Sequence, residues 1–285
     1  MIRTLPNSRS YSIGFKVYIT LFFVFLFAPL LITCVLAFND SLFPALPWKG
    51  FTLDWFVSDG PERVGIFHDQ TNLTSIWVSF KTAFFVSIFA TIVGTFGAFL
   101  FEQEEFRFKQ LLYFVMLAPL VIPGVILGIS ILLFSNTLGL FLETRFGLDI
   151  GLLRPGFWLV VLGQFSFITT LVTLIVSAQL KKFDYTLEEA ALNLGANRFQ
   201  VIVFITLRFL KPAILGAMAV AFLMSFENFN TTLFLVGSEA TLPINLYLQV
   251  RDGSTPVINA ISFLLIIGTS LLALLNLAIQ RDRSD

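Results

Sequence analysis

Six apolar runs, near residues 15–38, 76–101, 111–135, 156–178, 213–236 and 256–279, dominate this chain of 285 residues. Each is long enough for a helix to cross a hydrocarbon core, which takes about 20 residues. In lipid every backbone N–H and C=O must find a partner within the protein, which leaves helices or closed barrels, and unbroken runs of this length select helices. The pattern predicts an all-α membrane protein with six transmembrane helices. Composition agrees: 13% of residues are charged and 56% are hydrophobic, with a mean hydropathy of +0.87, whereas soluble domains carry about 25% charged residues. The first run follows Arg3, Arg9 and Lys16 as a signal peptide would. It exceeds the roughly 7–15 residues of an h-region, however, and reads as a membrane helix.

Net charge is zero, which gives no field for nucleic acid, so the placement of the charges carries the information. With both termini on one side, that side collects Arg3, Arg9, Lys16, Arg107, Lys109, Lys181, Lys182, Arg198, Arg208, Lys211, Arg281 and Arg283. The other side holds Lys49, Arg63, Arg145, Arg154 and Arg251, with Lys81 left near the outer end of the second run. Twelve against five predicts cytoplasmic termini by the positive-inside rule. The outer stretch "PWKGFTLDWF" then offers Trp48, Phe51, Trp55 and Phe56 to the headgroup zone.

Several chemistries are disfavoured. Cys34 is the single cysteine and lies in an apolar run, so neither a disulfide framework nor a cysteine metal cluster is available. His68 has no second ligand at metal spacing, and no P-loop, Ser/His/Asp or HExxH pattern occurs. An enzyme is not expected. A stand-alone secondary carrier is the runner-up, but the halves show no internal repeat of the kind such carriers use.

The third run carries Pro119, Pro123, Gly124 and Gly128, which predicts a break, either a packing kink or part of a translocation path. Ser166, Thr169, Thr170, Thr173 and Ser177 share one face of the fourth, as helix glue or as a pore lining. In the fifth, the small residues Ala213, Gly216, Ala217 and Val220 share a face that continues to Glu227, Asn230 and Thr231. A carboxylate inside a span is costly and marks a functional site by default; the alternative is a structural Glu near the interface.

Between the fourth and fifth runs lies "TLEEAALNLGANRFQ", residues 186–200. Thr186 and Glu189 have the spacing of a capping box, Glu188 and Glu189 suit the positive end of the helix dipole, and Gly195 falls where a left-handed cap belongs. A helix of about two turns is unstable alone in water, so something must dock it. Leu187, Ala190, Ala191 and Leu194 form one stripe that suits the protein's own helices. Leu192 points away from them, framed by the acids, either as an ordinary surface leucine or as a knob for a partner's groove.

This segment resembles the signature loop of ABC importer permeases: Glu189-Ala190-Ala191, then Gly195, then Ile205 and Leu207 at the family's intervals, with Arg208 where the family has Pro. "FAPLLITCVLAFNDS", "WKGFTLDWF", "LAPLVIPGVILGIS" and "TLPINLYLQVRDGSTPVINAIS" also follow the order of PotC-like spermidine/putrescine permeases. The resemblance implies a type I importer permease fold in a bacterial inner membrane, as one transmembrane domain over 1–285 with a coupling loop at about 179–212. It further implies a PotB-like second permease, two ATPase subunits that hold ATP and Mg, and a periplasmic binding protein, with no cofactor on this chain. Glu188, Glu189, Ala190, Ala191, Leu192 and Gly195 would couple to an ATPase. Glu227, Asn228, Asn230 and Thr231 would line the substrate pathway. In that family two consecutive acids often stand where this chain has Glu227 and Asn228.

Overall fold

The computed structural model describes residues 9–61, 63–253 and 255–281, and side chains between 11 and 271. Arg3 and Arg283 of the charge pattern lie outside the described residues, as do the side chains of Arg9 and Arg281. The helices in chain order are α1 (Arg9–Leu36), α2 (Asp54–Val57), α3 (Gln70–Gln103), α4 (Lys109–Val121), α5 (Gly124–Phe146) and α6 (Phe157–Leu180). They continue as α7 (Thr186–Asn193), α8 (Arg198–Val201), α9 (Leu207–Phe226), α10 (Leu242–Gly253) and α11 (Val257–Arg281). Extended pairing among the described residues is limited to two isolated bridges, Asn39 with Phe51 and Asp59 with Val64.

Five stretches are long and apolar enough to cross a membrane: 11–36, α3, α5, α6 and the helical run 198–226. Two shorter apolar helices accompany them, α4 and residues 257–271 of α11. The chain thus departs from six unbroken spans in two places. The third run is two helices, because Ile122 before Pro123 is extended and neither Pro119 nor Pro123 can donate a helical hydrogen bond. The helix of the fifth run, α9, ends at Phe226, short of 236.

The described residues up to 73 and from 248 onward form one compact unit and residues 74–247 another. In the first, Phe38, Phe56 and Phe263 make a cluster with ring centroids 4.9–5.9 Å apart. Trp55 is buried and donates its indole N–H to the Asn39 carbonyl at 2.8 Å, and the Asn39 side chain in turn binds Ala45, Pro47 and Lys49 of the backbone. The expected aromatic belt is therefore split. Trp48 and Phe51 are exposed, but Trp55 and Phe56 belong to the core, since a buried indole needs an acceptor and Asn39 supplies one.

In the second unit α6 is central: 61% of its most apolar stretch is buried, against 22% for 198–226 and 11% for α5. One hydroxyl of its stripe joins it to another helix. Ser166, Thr169 and Thr173 donate to carbonyls of α6 itself, while Thr170 donates across to the Met116 carbonyl of α4 at 2.7 Å. Close approach by α3 depends on glycine. A Cβ at Gly94 would lie 2.7 Å from Val172 Cγ1, and one at Gly97 would lie 3.0 Å from Thr173 Oγ1.

Gly94→Leu should lower the stability of the detergent-solubilised chain by about 1–3 kcal/mol, the usual cost of overpacking. Gly216→Leu, at an exposed position where an added Cβ meets nothing within 4 Å, should leave stability within about 0.5 kcal/mol. Thermal unfolding of the two variants checks this, and indistinguishable melting temperatures would contradict the packing described.

Candidate functional site

The break between α4 and α5 faces the broken end of α9. Helix α9 stops at Phe226, Glu227 caps it, and residues 228–231 turn irregularly before a short 3-10 turn at Thr232–Phe234. Glu227 is therefore not inside a membrane helix, as the sequence pattern suggested, but one residue past its end. The physical reason is Asn228. Its Oδ1 accepts from both the amide (3.3 Å) and the hydroxyl (2.9 Å) of Thr232, so a side-chain oxygen replaces the backbone acceptor that would have continued the helix.

A buried polar chain fixes that turn. Gln164 of α6, fully buried, donates to Thr232 Oγ1 at 2.8 Å and accepts from the Ser225 hydroxyl. Neither Gln164 nor Ser225 stood out in the sequence pattern, although a lone carboxamide inside an apolar run is the signal that finds them. On the other side two glycines let the turn lie directly on α5. A Cβ at Gly124 would fall 2.9 Å from Asn230 Cβ, and one at Gly128 would fall 2.6 Å from the Thr231 carbonyl.

Between these elements is a cavity of about 390 Å³. Pro119, Ile122, Phe167 and Phe229 line it, and the four predicted pathway residues, Glu227, Asn228, Asn230 and Thr231, meet there. The small-residue stripe that first pointed to Glu227 is not a continuous packed face: Ala217 is buried, but Gly216 and Val220 are exposed. Chemically the cavity offers one carboxylate, two carboxamides, a hydroxyl and apolar or aromatic walls. Such a set orients a small polar or cationic solute by charge and hydrogen bonds.

The segment between α6 and α9 is built differently from the expected capping box. Asp184 Oδ1 accepts from the Thr186 amide at 3.0 Å and hydroxyl at 2.8 Å, so the threonine oxygen is turned away from Glu189, whose amide bonds the Tyr185 carbonyl. A carboxylate two residues upstream is the stronger acceptor and wins. The capping box forms instead at α8, where Asn197 and Gln200 exchange side-chain and backbone bonds at 2.8 and 2.9 Å. Gly195 adopts the expected left-handed backbone (φ +90°) and closes α7, with its amide on the Leu192 carbonyl and that of Ala196 on Ala191.

The leucine stripe does not tether α7. Leu194 is 89% exposed and Leu187 51%, because α7 ends at Asn193 and Leu194 falls at its cap, beyond the packed turns. The tether is polar: Thr206 Oγ1, wholly buried, donates to Glu188 Oε1 at 2.5 Å. Thr206 ends a π-helical turn, Ile202–Thr206, that runs without interruption into α9. Arg208 continues that helix and Pro212 lies inside it. A proline at 208 would have removed a donor just past the π turn. Leu187, Leu192 and Leu194 are all exposed on this short projection.

A family model described as "Binding-protein-dependent transport system inner membrane component" matches residues 90–283, which cover the cavity and the α7 segment. The chain belongs to that family. This permease is 26% identical over 268 residues to the spermidine/putrescine transport system permease protein PotC of Escherichia coli K12, covering 94% of each chain. It is 31% identical over 246 residues to the putrescine transport system permease protein PotI of the same strain, covering 86% of this chain and 82% of that one. A crystal structure of a bacterial ABC transporter involved in import of the acidic polysaccharide alginate shares the permease's fold, with TM-score 0.75, 16% identity and 96% coverage of both chains. The MetNI methionine ABC transporter in an inward-facing form matches at TM-score 0.51 and 15% identity, covering 74% of this permease and 92% of that chain.

Hydrogen bonds from Thr186, the hydroxyl first and then the amide, hold the Asp184 carboxyl below the usual carboxylate range. A depressed folded value means the contribution is complete above the unfolded value, about 3.9, and is lost as pH falls through the lowered one. Protection of the Thr186 amide against hydrogen exchange should therefore hold from neutral pH to about pH 4 and fall below it. Asp184→Asn should abolish that pH dependence, and a dependence that persists in the variant would assign it to another group.

Proposed function

We propose that this chain is one of two permease subunits of an ATP-driven importer and forms half of the path for a small, cationic solute such as a polyamine. Both termini lie in the cytoplasm, where the twelve basic residues gather. The second permease is PotB-like, two ATPase subunits hold ATP and Mg, and a periplasmic binding protein delivers the solute. This chain carries no cofactor.

One observation supports the coupling role above others. Helix α7 has well-formed ends and a polar tether, yet presents Leu187, Leu192 and Leu194 to solvent, a surface that is costly unless a partner covers it. Its seat is a groove of an ATPase subunit, and Glu188, Glu189, Ala190, Ala191, Leu192 and Gly195 make the coupling surface. Glu188 acts through Thr206, linking movement of α7 to the start of α9 and hence to the cavity at its far end.

The solute reading rests on the cavity and on relatives that bear polyamine names. Glu227 attracts an ammonium group, and Phe167 and Phe229 supply ring faces to a cation. Asn228 supports a solute with one cationic centre at this end, because its Oδ1 is committed to Thr232. A monoamine or an amino-phosphonate is the second reading that this amide favours.

In the reconstituted complex, ATPase activity should be stimulated by the binding protein when it carries one member of a panel of amines and phosphonates. Glu227→Gln should raise the concentration for half-maximal transport at least tenfold, ~1.4 kcal/mol, if that member is cationic. Unchanged transport would remove Glu227 from the path. Leu192→Asp and Gly195→Asp should each abolish co-purification of the ATPase while membrane insertion is retained, and retention of the ATPase by both would remove α7 from the coupling contact.

A further inference from the structure

Lys81 is a cation in an apolar helix with no carboxylate within salt-bridge distance among the described residues; its Nζ lies 5.6 Å from the Phe157 ring centroid instead. Counting along α3, Lys81 to Gln103 spans 22 residues, about 33 Å at 1.5 Å per residue. That matches the roughly 30 Å of a hydrocarbon core and sets Lys81 at its boundary. Phe157, the first residue of α6, and Trp158 stand at the same level, as interfacial aromatics do.

From Lys81 one face of α3 runs through Phe85, Phe89 and Ile92, spaced i+4, i+8 and i+11 and confined to an arc of about 80°. Ala83, Val86 and Ala90, all fully buried, occupy the opposite face. Phe85 joins the cation to the neighbouring helix, with its ring 5.9 Å from Phe157 and 5.6 Å from Trp158. Below it, a groove of about 320 Å³ with no polar surface lies between Phe89, Ile92 and Val93 of α3 and Trp158, Leu162 and Phe165 of α6. Lys81 to Ile92 measures about 16 Å along the helix, half the hydrocarbon thickness and thus the depth of one leaflet.

We infer that this face is a phospholipid site, with the headgroup phosphate on Lys81 and one acyl chain in the α3–α6 groove. The two halves of the ligand match two features that have no reason to coincide otherwise. The unpaired cation stands at headgroup level, and on α3 the wholly apolar groove starts at Phe89, about two helical turns beneath it, and ends at mid-bilayer. A protein helix in the same place would have to bring a carboxylate to Lys81, whereas a phospholipid brings its anion at the fixed height where its chain begins. The leaflet is the one on the side of the 147–156 turn, the outer one in the orientation proposed above. Lys81 snorkels to that surface along the Phe157 ring.

The test titrates the purified full-length chain in detergent with phosphatidylglycerol, and separately with diacylglycerol of the same chains, and counts bound lipid by native mass spectrometry. A saturable single adduct is expected with phosphatidylglycerol. Diacylglycerol should give about fivefold less, the size of one lysine–headgroup attraction. Lys81→Gln should lower the phosphatidylglycerol adduct by a similar factor, Lys81→Arg should retain it, and Leu162→Trp should remove it by filling the groove. Equal adducts in wild type and Lys81→Gln, or equal binding of both lipids, overturn the inference. A photoreactive residue at Ile92 in cells gives a second arm: a lipid adduct supports the site, and an adduct with another protein overturns it.

Discussion

A backbone amide or carbonyl in hydrocarbon has no water to turn to, and most of this permease is arranged around that fact. Regular helix satisfies the requirement silently. The informative places are those where helix stops in an apolar setting, because each needs a substitute partner. Thr170 adds a donor from α6 to the Met116 carbonyl within α4, and the Asn228 side chain takes the Thr232 amide where α9 ends. Gln164 and Ser225 complete the second arrangement from within the core. Breaks without such service would cost several kcal/mol per orphaned group, and residues of both breaks line the same cavity.

Packing within residues 74–247 follows from the same economy of polar groups. With lipid as apolar as leucine, helices gain little by hiding greasy surface from it and associate through close contact. Glycine makes that contact at both faces of the unit's centre: Gly94 and Gly97 bring α3 onto α6, and Gly124 and Gly128 bring the 230–231 turn onto α5. The residues that shape the cavity are thus held by backbone proximity. The carboxylate of Glu227 and the amide of Asn230 thus reach the cavity from a backbone set by these contacts.

Much of this was legible in the chain, for physical reasons. Apolar run length reports hydrocarbon thickness directly, Pro123 biases the residue before it toward extended backbone, and Gly195 sits where the left-handed backbone favours glycine. What escaped depended on competition between partners. The run through 227–236 is apolar enough to pass as helix, and only the Asn228–Thr232 bond shows that it is not. Thr186 has a capping spacing to Glu189, but Asp184 takes its hydroxyl first. The leucines of α7 have helical periodicity, which says that they share a face and nothing of whether this chain covers it. Gln164 is a lone amide in an apolar run, and its importance follows from two partners, Ser225 and Thr232, that stand 61 and 68 residues away.

The π turn at Ile202–Thr206 has a geometric consequence for the whole of α9. In an α-helix, residues five apart diverge by about 140°, so Val201 and Thr206 would face different surroundings. Bonding from the Leu207 amide to the Ile202 carbonyl, five residues back, sets them on the same side, and both are buried. The chain therefore carries one residue more than a plain helix needs between the projecting segment and the membrane-spanning one. That surplus residue is a phase adjuster: removing it would leave the helix intact and turn everything N-terminal to it by about 100° relative to the cavity.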